Sequence, residues 1–86
     1  MAQSATFVLE NQGVLQQICG ANDANVALLE ELFGAHVYTR GNEVHLDSES
    51  KEVRRRFARL FSELESHVAL GHPPGNDLIL AVYSGI

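Results

Sequence analysis

Eighty-six residues with 45% apolar side chains make one domain, too short for two and too apolar for a disordered chain. A domain of this size buries only ~60% of the surface that its unfolded chain exposes, so the core is thin. The net charge of −5 argues against a protein held to nucleic acid mainly through phosphates, no apolar run nears the ~20 residues of a membrane span, and the first five residues lack the basic and apolar stretches of a signal peptide.

Residues 1–5 read as a flexible N-terminus. Thr6 to Glu10, β-branched and aromatic, reads as a strand that the Asn11-Gln12-Gly13 break ends. Val14, Leu15 and Ile18 recur at helical spacing, so 14–19 is a short helix interrupted by Gly20-Ala21-Asn22-Asp23. Cys19, the single cysteine, has no partner for an internal disulfide; it reads as a small buried hydrophobe in a reducing, cytoplasmic protein. The second helix starts near Asn22 or Asp23, either of which caps the first turn. Its apolar stripe is Val26, Leu29, Leu32 and Phe33, widened by Leu28, while Glu30 and Glu31 point away and Gly34 stops it.

The period then switches to two. Val37 and Thr39 alternate with His36, Tyr38 and Arg40, and Val44 and Leu46 alternate with Glu43, His45 and Asp47. A two-residue Gly41-Asn42 turn sets the register, pairing Val37 with Leu46 and Thr39 with Val44 on one face. The other face receives His36 with Asp47, Tyr38 with His45 and Arg40 with Glu43, the last an expected cross-strand ion pair. Ser48 to Ser50 cap a long helix over about 49–68, whose core stripe is Val53, Phe57, Leu60, Leu64 and Val68, with Phe61 beside it. Glu52–Arg56 and Arg59–Glu63 are expected i,i+4 pairs. Gly71, Pro73, Pro74 and Gly75 end the domain at residue 70, and 71–86 reads as a linker and the start of a following segment of a longer chain.

The order β-α-α-β-β-α makes a two-layer α+β sandwich, with a three-stranded sheet and helices on one face. It resembles the KH fold. The run Ile18-Cys19-Gly20-Ala21-Asn22-Asp23 to Gly34-Ala35-His36-Val37 follows the KH consensus V-I-G-x-x-G…G-x-x-I without a gap, with Asp23 in place of the second glycine. More closely, Gly20…Asp23-Ala24-Asn25…Leu29-Glu30…Gly34…Arg40-Gly41-Asn42, Val53 and Gly71-His72-Pro73 are similar to the N-terminal domain of PhoH-like P-loop ATPases, phosphate-starvation-inducible proteins, over about residues 6–86. The resemblance implies a KH-like domain at 6–70 that precedes an ATPase domain and serves it as a weak or degenerate RNA-binding module. No G-x-x-x-x-G-K-[ST] occurs in this chain, so ATP and magnesium are expected only in that other domain, and this chain is expected to carry no enzyme activity and no cofactor.

Within that resemblance, Gly20, Ala21, Asn22 and Asp23 form the loop that would meet phosphates of single-stranded RNA. Asn22 and Asn25 would donate to a sugar or base, and Arg40 would line the groove. Asp23 places a carboxylate where a phosphate would sit. Lys51, Arg54, Arg55 and Arg59 form a basic helix face suited to docking an acidic partner surface, such as the ATPase domain or another copy in a homo-oligomer. A protein-interaction or oligomerisation scaffold without RNA is the alternative function. His36, His45, His67 and His72 lack the spacing of a metal site, and no nucleophile motif is present.

Overall fold

The computed structural model describes residues 4–72 and 74–86. Strand β1 runs Ser4–Val8, helix α1 Gln12–Cys19, and helix α2 Ala24–Phe33 after a 3₁₀ turn at Ala21–Asp23. Strands β2 (His36–Arg40) and β3 (Glu43–Asp47) follow, then helices α3 (Lys51–Ala69) and α4 (Asn76–Gly85). The fold is α+β. Its sheet is antiparallel in the order β1-β3-β2, so β1 and β2 are edges and β3, the last strand to be made, is central.

The hairpin has the register that its alternation predicts: Val37 opposes Leu46, Thr39 opposes Val44, and His36, Tyr38 and Arg40 oppose Asp47, His45 and Glu43. Gly41 takes φ +62° at the turn, a left-handed backbone that glycine adopts without strain. Val37, Val44 and Leu46 are buried beneath the helices, while His36, Tyr38 and Arg40 on the other face are exposed. Helices therefore cover one side of the sheet, in two layers.

The core is shared by every element. Leu15 and Ile18 of α1, Leu29 and Phe33 of α2, and Phe57, Leu60, Phe61 and Leu64 of α3 close over the sheet. Phe33 meets Phe57 edge-on at 5.5 Å, and Phe61 lies 4.9 Å from Phe57 and 6.0 Å from Phe7. Aromatic pairs at such distances add about 0.5–1.5 kcal/mol each beyond their burial. Two helix starts are capped by side chains, α3 within the Ser48–Ser50 run as its sequence suggests and α1 by Asn11, two residues earlier than the helix was expected to begin. Asn11 accepts from the Val14 N–H at 2.9 Å, and Ser50 accepts from Val53 at 3.2 Å.

Several expectations need correction. Ser4 and Ala5, placed in a flexible terminus, belong to β1, which ends at Val8 because Leu9 turns into the core and bonds Asn42 both ways. Met1, Ala2 and Gln3 lie outside the described residues, as does Pro73 in the expected linker. The boundary at residue 70 does not hold. After the chain turns at Leu70–Gly71, α4 packs back on α3 and buries Ile79 and Val82 in the same core. Tyr83 donates its hydroxyl to the Leu32 carbonyl at 3.0 Å and meets Phe33 edge-on. The surface of 5116 Å² is what one folded unit of 9.4 kDa exposes, about 5,000 Å²; a dangling tail would raise it. Arg56 is also redirected. Instead of pairing with Glu52 it lies over the Tyr83 ring at 4.7 Å, since α4 supplies an aromatic face that the helix alone does not have. Arg59 and Glu63 do pair, at 3.6 Å on the surface.

Candidate functional site

The loop between α1 and α2 is built from three unusual backbone positions. Gly20 takes φ +78°, and a Cβ there would come within 3.1 Å of the Asn25 amide nitrogen. The conformation favours glycine, and a side chain there would also press on Asn25. Asn22 and Asp23 are both left-handed at φ 55°. This costs an L-residue roughly 1–2 kcal/mol, least for Asn and Asp. Asp23 occupies the N-cap position of α2, yet its side chain caps nothing. A residue in the left-handed region aims its carboxylate away from the first-turn N–H groups, which is why the expected cap fails. Ala21, Asn22 and Asp23 are exposed.

Asn25 overturns its expected role. It is 7% exposed, and its amide nitrogen donates to the Ile18 carbonyl at 2.8 Å and the Pro74 carbonyl at 3.0 Å. The side chain stitches α1, α2 and the approach to α4 together, with no N–H left for a sugar or base. One signal for this was present: Asn25, Leu29 and Phe33 share a four-residue spacing, and those three are the buried residues of α2, whereas Val26 is only half-buried.

Glu30 was read as pointing to solvent. Instead its Oε2 accepts from the Val37 N–H and from His36 Nδ1, both at 3.0 Å. Val37's N–H faces outward from the sheet, so the carboxylate occupies the main chain of the β2 edge. That hydrogen bond, aided by the His36 ring and opposed by partial burial, holds the Glu30 carboxyl below the usual glutamate range. Helical periodicity carries no sign of this contact, because it depends on how α2 lies against β2.

Arg40 is exposed at the end of β2, and among the described residues it makes no ion pair; Glu43, its register partner, turns to His45 Nε2 at 3.2 Å. The carboxylate can only accept, so Nε2 donates to it, and His45 Nδ1 shares a hydrogen bond of 2.9 Å with the Thr6 hydroxyl. Tyr38 stacks between His36 and His45, with ring centroids 5.4 and 4.8 Å away. The basic residues of α3 divide. Lys51, Arg55 and Arg59 recur every four residues on the exposed side, while Arg54 is half-buried and donates Nη1 to the Ser48 carbonyl at 2.9 Å.

Cys19 is buried. Desolvation, with the Asp23 carboxylate adding to it, pushes its thiol up to about 11, so it is a protonated, poor nucleophile at neutral pH. His67 and His72 share a 3.3 Å Nδ1–Nδ1 contact. Among the described residues no group of three or more His, Cys, Asp or Glu side chains converges as metal ligands, and no helix is long and apolar enough to cross a membrane. Comparison with protein-family models, curated proteins and solved structures finds no match to this chain.

Proposed function

We propose that this chain is a non-catalytic, KH-like accessory domain of a PhoH-like ATPase, and that it works by docking protein surfaces. The order of elements through Ala69, with the Gly20–Asp23 loop between α1 and α2, supports the KH-like reading. In the fold it resembles, the groove lies between that loop and the second strand. The observation that carries the docking reading is Glu30, whose carboxylate sits on the Val37 N–H of that strand. With Asp23 on the loop, an acid stands on each wall, and both repel a phosphate backbone. Asn25 is spent internally. Lys51, Arg55 and Arg59, on the solvent side of α3, offer an acidic partner surface, such as the ATPase domain, a complementary patch. Nucleotide and magnesium belong to that other domain, and the setting is the cytoplasm.

Titration with short single-stranded RNA at low salt, followed by amide NMR shifts, tests this. The expected result is no movement at Gly20–Asn25 or Val37–Gly41. Shifts clustered there restore a second reading, weak RNA binding, which Arg40, exposed at the end of β2, favours. Under that reading Asp23→Gly with Asn22→Lys raises RNA affinity at least a few-fold; an unchanged affinity means the groove is not used.

A further inference from the structure

The two sheet edges are guarded differently. On β2, Glu30 takes the outward N–H of Val37, and Arg40 ends the strand. On β1, Leu9 donates inward to Asn42, so the alternation of an antiparallel ladder turns the main-chain groups of Ser4, Thr6 and Val8 outward. Edge strands are ordinarily protected by charge, proline or a bulge. Ser4-Ala5-Thr6-Phe7-Val8 has none of these, and Val8 is 58% exposed. This outward bonding set is symmetric about Thr6. Antiparallel pairing with an identical strand sets Thr6 on Thr6 and Ser4 on Val8.

The helix beneath carries matching charges. α3 packs along β1, with Phe61 under Phe7. Arg54, Ala58, Phe61 and Glu65, spaced four, three and four, share one side of it. Glu65 Oε2 accepts from the Glu10 N–H at 2.7 Å, just past the Val8 end of the strand. Arg54 reaches the Ser48 carbonyl, next to Asp47, which opposes Ser4. The opposite flank of α3 is closed by α4, through Arg56 on Tyr83. This free flank is therefore basic at one end of β1, acidic at the other, and small at Ala58 between them.

We infer that a second copy of this chain docks on β1 and α3, related by a two-fold axis through Thr6. Its three strands continue the sheet, and each Arg54 meets the other copy's Glu65. The inference rests on the docking reading and adds a second surface to it, on the flank of α3 beside Lys51, Arg55 and Arg59. Charge complementarity selects a copy of this chain, because a two-fold axis reverses the flank and brings opposite ends together.

Solution mass by light scattering tests it. At ~200 µM, well within reach of a modest dimer affinity, the chain is expected at twice its 9.4 kDa. Arg54→Glu and Glu65→Lys each raise the dimer Kd by at least about tenfold, while Glu31→Lys, on the exposed side of α2, leaves it in place. Mixing the Arg54→Glu chain with the Glu65→Lys chain restores opposite charges at both ends and is expected to recover the dimer. A wild-type mass of one chain, or a mixture of the two variants that stays monomeric, overturns the inference. RNA shifts at the Gly20 loop would instead overturn the docking reading, whatever the mass.

Discussion

The β2–β3 hairpin and the stretch from Pro74 to Ile86 are both short, yet they take their structure from different sources. In the hairpin, alternation, a glycine turn and opposed side chains lie within twelve consecutive residues, 36–47, and agree on one register. In the C-terminal stretch, Leu78 to Val82 is apolar on every side and favours no face. Its place comes from groups far away in sequence: the amide of Asn25, the carbonyl of Leu32, the guanidinium of Arg56 and the gap that Ile79 fills. Local patterns determine an element when its partner is the next element. They fail when the partner lies fifty residues earlier, as Tyr83 and Leu32 do.

This contrast can be broken by mutation. Ile79→Ala empties a fully buried site and should cost about 2–5 kcal/mol, a large part of the 5–15 kcal/mol typical of a whole domain. Urea unfolding measures it; a cost near zero would return residues 71–86 to the status of a linker. Asn25→Ala leaves the Ile18 and Pro74 carbonyls without their donor and should cost roughly 1–3 kcal/mol. Hydrogen exchange should then rise in α4 before it rises in the hairpin. Gly41→Ala probes the hairpin alone. Nothing lies within 4 Å of the added methyl, so the expected loss of about 1 kcal/mol is the price of a left-handed alanine.

The smallest effect is a pH dependence. Native Glu30 ionises below its ordinary value of 4.5, first because it accepts the Val37 N–H and then because of His36. A carboxyl with a lowered native pKa stabilises the fold above its unfolded value, and that contribution is lost as pH falls through the native one. Stability measured from pH ~6 down to pH ~3 should therefore fall more steeply in the wild type than in Glu30→Gln. Parallel profiles would mean that the carboxylate does not hold the β2 edge.

The candidate site was only partly legible. Gly20, Ala21, Asn22 and Asp23 do form an exposed loop between two helices, as the glycine and the change of period indicate. Which side chains stay available around it was not legible. Asn25 and Glu30 look alike in sequence, as polar residues on a helix. One is buried and the other braces a strand edge, because α2 packs against the approach to α4 on one side and β2 on the other. Arg54 and Arg55 are adjacent, but Arg55 is exposed to solvent while Arg54 is half-buried along the β1 flank, where it reaches the Ser48 carbonyl.

By itself the sequence determined the α+β class, the hairpin register, the caps at Ser48–Ser50 and the core stripe of α3. Each of these follows from a period, a turn or a cap confined to neighbouring residues. Tertiary structure alone decided that 76–85 belongs to the core, that Arg56 meets Tyr83, that Glu30 closes one sheet edge and that β1 forms the other. These outcomes depend on distances between elements, and the chain learns them only when its helices close over the sheet.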